Sequence, residues 1–330
     1  MPGAPTKRVT AADVARSLGL SRATVGFVLN DTPGQTIPSG TRDRVLAEAK
    51  RLGYRANAAA QTLASGKSRI ILLVLPDWPM DYSMRTHLDE ASLALDEAGY
   101  TLVTMTPHPG GRARPLWETL RPDVVMGMVP FTQEQLDQIR GSGVPQIIPP
   151  VAAGEQGAVG DLGYTDGPRM QVVHLLDRGS RAVGFAPSAG PPIAAPLAQA
   201  RALVRHTLST LDGSTLAAEA AITESNAADQ LRSWIDQGVD GIVAYNDDIA
   251  AITLGAALRS DLAVPGRLAI VGHDDTPLAR LVVPALSTVR VDNAGLGRYL
   301  AELALSAATG SPPPLAGPET DAHLIIRETS

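Results

Sequence analysis

From Ile70 onward, short apolar runs alternate with amphipathic stretches of helical length, and this alternation constrains the fold more than any other feature of the sequence. The runs are IILLVL (70–75), TLVTM (101–105), VVMGMV (124–129) and PQIIP (145–149), then AVGFA (182–186), GIVAY (241–245), LAIVG (268–272) and LSTVRV (286–291). HLIIRE (323–328) reads as a last strand after the proline-rich PPPLAGP. Helical patterns fall between them at 83–98, 167–178, 248–259 and 294–308, with another near Pro196–Leu208. Apolar strands separated by helices are the signature of a parallel sheet covered on both faces. Two such sets predict an α/β fold of two doubly wound lobes with a cleft between them.

The first 56 residues follow a different rule. Thr10 precedes AADVARSLG, with Asp13 three residues on, a capping-box spacing. Gly19 breaks that helix and Ser21 can cap a second, RATVGFVLN, whose Val25, Val28 and Leu29 repeat at helical spacing. Ser39 is expected to cap a third, with Val45, Leu46, Ala49 and Leu52 inward and Gly53 beyond its end. Two helices joined by a short glycine-containing turn form a helix-turn-helix pattern. In that motif the second helix enters the major groove and its first residues reach base edges. Here those are Ser21, Arg22, Ala23 and Thr24. Arg22 can bond guanine through two N–H groups, and Ala23 offers a methyl contact.

Charge follows the same division. Residues 1–68 carry 10 Lys+Arg and 4 Asp+Glu, a local +6, whereas the rest carries 18 basic and 30 acidic residues, −12. A basic head on an acidic body is expected when only the head meets phosphate. The chain has no cysteine, which excludes disulfides, thiolate metal sites and cysteine nucleophiles. No apolar leader core or membrane-length apolar run is present, so a cytoplasmic protein is expected.

VTAADVARSLGLSRATVGFVLN, TRDRVLAEAKRLGYRAN and AAAQTLASGKS together resemble the head of the LacI/GalR (lactose/galactose repressor) family. The resemblance continues through AYNDDIAAITLGAALR, VPGRLAIVGHDDTPLARLVVPALSTVRV and LIIRETS, so it spans nearly the whole chain. It implies a helix-turn-helix headpiece (1–56), a hinge helix and linker (57–68) and an effector-binding and dimerisation domain (69–330). The latter would have two lobes of periplasmic-binding-protein type, an N-lobe of about 69–161 and 292–320 and a C-lobe of about 162–291 and 321–330. It further implies a homodimer on a pseudo-palindromic operator in double-stranded DNA. A small ligand in the cleft, a sugar in most of the family, would change operator affinity. Repression is the family's usual mode.

Carried over by motif, Thr10, Ser21, Arg22, Ala23, Thr24, Asn30, Thr41, Tyr54 and Asn57 fall where the family contacts DNA. Ala60 and Leu63 fall on the hinge helix, where the family's leucine wedges into the minor groove. Three departures bear on the operator sequence: Gly26-Phe27 replaces the family's Ser-Arg pair, Ala56 stands where proline is common, and the loop at Thr32–Gln35 is longer.

Ligands of doubly wound sheets bind past the carboxyl ends of strands. That position nominates Asp77, Asp81, Tyr82, Phe131, Asn246, Asp247, His273, Asp274 and Asn293, a set rich in hydroxyl acceptors and rings. The resemblance places direct effector contacts at Asn246 and Asp274. Asp275 is expected to tie down its own loop, and Asn246-Asp247 has the alternative role of capping the following helix. The family's second-lobe arginine is replaced by Leu197, with Arg201 and Arg205 out of register, and its Asp-Asn pair reads Leu162-Gly163 beside Tyr164 and Asp166. A non-sugar metabolite and activation instead of repression therefore stay open. The residues give no phosphate loop, nucleophile elbow or metal spacing, so neither an enzyme nor a cofactor is expected. A solute-binding protein of the same two-lobed kind would lack the basic helical head.

Overall fold

The computed structural model describes residues 9–30, 32, 34–55, 66–75, 77, 80–108, 110–128, 131–148, 166–188, 194–211, 214–314 and 322–330. The chain divides into two units, Met1–Arg69 and Ile70–Ser330. The expected hinge helix lies outside the described residues, as do Asn57, Ala60 and Leu63.

Among its described residues the first unit has three helices, α1 (Ala11–Leu18), α2 (Arg22–Leu29) and α3 (Ser39–Leu52). Thr10 caps α1 in a capping box with Asp13, and Ser21 caps α2 by accepting the Thr24 amide hydrogen. These bonds satisfy amide hydrogens that have no partner inside the helix. α3 departs from expectation at its start. Pro38 is the capping position, Ser39 is the first helical residue, and no side chain caps the helix. Gly53 ends α3 at φ +69, a conformation that L side chains resist and glycine does not. Val14, Ala15, Val25, Val28, Val45 and Ala49 are buried together as the core. Leu46, expected inward, is 47% exposed.

The second unit holds two sheets. The first has the order β2-β1-β3-β4, from β1 (Ile70–Val74), β2 (Thr101–Met105), β3 (Val124–Gly127) and β4 (Gln146–Ile148), all parallel. It is accompanied by α4 (Tyr82–Glu97), α5 (Leu116–Leu120) and α6 (Gln133–Gly141). Alternation along β1 divides its side chains between two layers. Leu72 and Val74 pack with Trp117, Leu136 and Ile139, whereas Ile71 and Leu73 pack with Leu95, Leu300 and Leu303. Removing a leucine such as Leu72 from water contributes about 1.5–3 kcal/mol, which is why this central strand has no polar residue.

The second sheet has the order β10-β9-β8-β7-β5-β6. Its strands are β5 (Ala182–Ala186), β6 (Thr215–Glu219), β7 (Gly241–Ala244), β8 (Ala269–His273), β9 (Ser287–Arg290) and β10 (His323–Ile325), and only β10 runs antiparallel to its neighbour. The helices α7 (Gly167–Asp177), α8 (Ala194–Thr210), α9 (Ala227–Asp236), α10 (Asp247–Arg259) and α11 (Pro277–Leu281) belong to this part of the chain. α12 (Asn293–Thr309) follows β9 but packs against α4 of the first lobe, and the chain then returns to the second sheet as β10. The last strand is thus shorter than HLIIRE suggests. The alanine-rich edge strand β6, with one buried residue among TLAAE, was not expected from the sequence.

Candidate nucleic-acid interface and ligand cleft

At the start of α2, Ser21, Arg22 and Ala23 are exposed and Thr24 is half-buried. The Ser21 hydroxyl accepts the Thr24 amide at 3.0 Å and lies 2.9 Å from the Thr24 hydroxyl, so both oxygens are engaged in the cap. Arg22 makes no ion pair among the described residues, which leaves its guanidinium available to a partner. Two of the unit's acids, Asp13 and Glu48, are held internally. Hydrogen bonds from Thr10 bring Asp13 down to about 2, and those from Arg51 and Ser17 bring Glu48 down to about 2. Thr10 spends its hydroxyl on Asp13 at 2.7 Å, Asn30 is the exposed residue closing α2, Thr41 is half-buried in the first turn of α3, and Tyr54 packs on the core.

In the second unit, three strand ends carry the polar residues. Asp81 accepts the Met84 amide at 2.8 Å and so caps α4 just beyond β1. Asn246 caps α10 beyond β7 by accepting from Ile249 at 3.0 Å. Asp274 follows β8 and lies 2.9 Å from His273 Nδ1. Burial raises the Asp81 pKa, and the charges of Asp274 and Asp248 raise it further, while the Asn246 side chain stabilises its ionised form. The strand ends of the two sheets therefore face each other. Burial also raises Asp248, and Asp274 adds to it; Tyr245 is raised by burial and by Asp274 and Asp81. Tyr245 was not among the side chains nominated from the strand ends, whereas Asp248 follows β7 with Asn246 and Asp247. Asp248 sits one residue after Asp247, and only the helix geometry tells the two apart.

Asp247 proves to be a structural residue. It is fully buried, its carboxylate accepts the Thr276 amide at 2.7 Å and the Thr288 hydroxyl at 2.6 Å, and burial pushes its pKa up to about 6. Gly272 makes room for it, since a Cβ there would come within 2.2 Å of the Asp247 carboxylate. Asp275 likewise braces its loop. Burial opposes its charge, but Arg327 and Arg290 hold its pKa below the ordinary carboxylate value. Between these anchors Asp274 and Asp275 take φ of 99 and 47, strained values for non-glycine residues. The Asp274 amide donates to the Val289 carbonyl at 2.7 Å, which pins β8's end to β9. Gln171 adds a further tie, its amide nitrogen lying 2.8–3.1 Å from the carbonyls of Ala244, Val271 and Gly272. One buried side chain thus sets β7 and β8 to a common level, a role its sequence position did not signal.

Two nominated residues are placed elsewhere. Phe131 is buried with Leu72, Val74 and Trp117 in the first lobe's core, because the chain turns inward ahead of α6. Asn293 is buried at the start of α12, where it donates to Ser83 at 3.0 Å and bonds His87 Nε2 at 2.9 Å. It joins α4 to the segment that crosses between lobes. Asp77 and Tyr82 are exposed, and His273 is buried. Leu197 packs against the second lobe's core, while Arg201 and Arg205 both pair with Glu219 at the end of β6. Leu162, Gly163 and Tyr164 lie outside the described residues. Among the described residues no group of three acidic or histidine side chains is placed to hold a metal, and no helix is long and apolar enough to cross a membrane.

Comparison with known proteins agrees with this geometry. Residues 172–330 match the family model described as a periplasmic binding protein-like domain. The HTH-type transcriptional regulator GalS of Salmonella typhimurium is 28% identical, over 92% of this chain and 91% of its own length. The ribose operon repressor of Bacillus subtilis is also 28% identical, over 90% of each chain. Among solved structures, the lac repressor dimer bound to operator and an anti-inducer superposes with a TM-score of 0.77 at 22% identity, covering 98% of this chain and 99% of that one. The regulator CelR in complex with cellobiose gives a TM-score of 0.66 at 24% identity, covering 98% and 100%. The structural matches show the fold, and the relatives match about nine-tenths of the chain. Over about nine-tenths of its length the chain is similar to transcriptional regulators of the LacI/GalR kind.

Proposed function

We propose that this protein is a sequence-specific transcriptional repressor that binds a pseudo-palindromic operator as a homodimer and responds to a small ligand, a sugar, in the cleft between its lobes. The observation that carries DNA binding is the exposed Ser21-Arg22-Ala23 start of α2 on a unit of net positive charge. Helix-turn-helix proteins read base edges with that part of the second helix, and Arg44, Lys50 and Arg55 are exposed to meet phosphate. Thr10, Asn30, Thr41 and Tyr54 supply further contacts, and Asn57, Ala60 and Leu63 the hinge contacts at the operator centre. The relatives are regulators and not enzymes, and the cytoplasm is the expected compartment.

Ligand binding rests on Asp81, Asn246 and Asp274, which converge from both lobes. Asp248 and Tyr245 join them, Asp77 and Tyr82 are exposed in the chain beyond β1, and His273 backs Asp274. Dimerisation is supported by Leu281 and Val283, which are 76% and 83% exposed, large apolar side chains adjacent in the chain that a soluble monomer has reason to cover. The lac repressor and CelR structures show a dimer on operator and a bound disaccharide for those proteins.

Selection from random double-stranded DNA tests the reading. Two inverted half-sites about one helical turn apart are expected, with retention that falls steeply as salt rises. Enrichment of no sequence, or of a single unrepeated half-site, would remove the proposal.

A further inference from the structure

We propose that the ligand of the cleft carries a protonated amine: it is an amine-bearing carbohydrate, cationic at neutral pH. This rests on the cleft being the ligand site and specifies the chemistry that site selects. The first observation is the charge balance at the strand ends. Asp81 comes from the first lobe, Asp248 and Asp274 from the second, and each lies within charge range of at least one other. No arginine acts on Asp81 or Asp248, in contrast to Asp275, which has two.

The second observation concerns where the cations are. Residues 70–330 contain no lysine, and none of their 17 arginines falls in a segment outside the described residues. The arginines of α8, where the family expects a ligand contact, are both committed to Glu219. Arg290 and Arg327 are committed to Asp275, and Arg298 lies against Glu90 and Asp292. A phosphosugar or sugar acid would thus add negative charge beside carboxylates on which no arginine acts among the described residues.

Third, no three acidic or histidine side chains among the described residues are placed to share one metal ion. What compensates them must be an extended molecule. Fourth, His87 supplies another acceptor. The ring is buried, and burial lowers its pKa; Asn293 donates its amide to Ser83 and turns its carbonyl oxygen to His87 Nε2. The proton therefore sits on Nε2, and Nδ1 is left as a lone-pair acceptor without a hydrogen-bond partner, within charge range of Asp274. Carboxylates from two lobes with an unused buried acceptor beside them ask for a ligand rich in N–H and O–H donors with positive charge. Such a ligand would also draw the two lobes together, because without it Asp81 repels Asp274 and Asp248 across the cleft.

The test is a thermal-shift and calorimetric comparison on the full chain at pH 7. Glucosamine, galactosamine, mannosamine and the β-1,4-linked glucosamine dimer are each paired with the parent sugar, the N-acetyl form, and glucuronate and glucose 6-phosphate as anions. At least one amino sugar is expected to bind at least about tenfold more tightly than its neutral parent, the weight of one charge-assisted hydrogen bond. Asp81→Asn, which keeps an oxygen to cap α4, and Asp248→Asn are expected to erase that preference. A parent sugar or an anion binding as tightly as the amino sugar overturns the proposal, as does the absence of any amino sugar that raises the melting temperature. An amino sugar bound equally by wild type and both variants sits elsewhere and overturns it too. Neutral sugars that bind wild type but not Asp274→Ala would leave the cleft as the ligand site and remove only the amine. Amino-sugar binding that leaves the DNA complex unchanged would remove the regulatory reading and keep the charge preference.

Discussion

At the residue scale, burial separates two adjacent carboxylates. Asp247 and Asp248 look equivalent in YNDD, yet one is fully buried under Thr276 and Thr288 and the other is exposed toward Asp81 and Asp274. Helical rotation of roughly 100° per residue decides which faces the cleft. Asn246 takes the capping role weighed for it, its oxygen accepting from Ile249, and its side chain also lies beside Asp81. Arg22 has no ion pair to give up among the described residues, so its loss should register wholly in binding. Arg22→Ala is expected to weaken operator affinity by about 1–3 kcal/mol and relax one symmetric pair of base positions, read by repeating the DNA selection. Asp274→Ala is expected to keep DNA affinity and lose the ligand response. A gel shift with and without the tightest ligand reads both, and normal release by the variant would exclude Asp274 from the site.

At the scale of elements, period and caps carried most of the information. β1 places alternate residues in two separate cores, as a strand buried on both faces must. β6 was missed because TLAAE is an edge strand with little apolar area, so its pairing with β5 comes from the sheet and not from its own residues. The start of α10 illustrates what an element's surroundings do to a side chain. A carboxyl raised to about 6 binds a proton in the folded state where the unfolded chain, near 3.8, has already lost it. Stability contributed by Asp247 is therefore greatest at low pH and falls as pH rises from about 4 to 6. Buried His87 and His174, whose pKa values burial lowers, act in the opposite sense as pH drops below 6.5. Wild type and Asp247→Asn should thus be compared across that range. The variant, which retains an acceptor for the Thr276 amide, is expected to be relatively more stable at pH 7 than at pH 4. Parallel melting curves at every pH would show that Asp247 titrates as it does in the unfolded chain.

For the whole molecule, the exposed Leu281 and Val283 carry the assembly prediction. Leu281→Asp and Val283→Asp are expected to yield folded monomers in sedimentation velocity and to weaken operator binding at nanomolar protein, because two half-sites then no longer share one ligand of double valency. Dimers that persist in both variants would place the interface elsewhere. The α/β alternation, the three helices of the head with the Thr10 and Ser21 caps, the charge division and the resemblance to LacI/GalR regulators are all legible in the residues alone. Each of these rests on local periodicity, capping geometry or composition, which neighbouring residues impose. Only the tertiary structure decided that Phe131 is core, that Gln171 levels β7 and β8, that His87 meets Asn293, and that Asp81 faces Asp274 and Asp248. Those partners lie far apart in the chain: packing around each sheet sets the first three, and the approach of one lobe's strand ends to the other's sets the last.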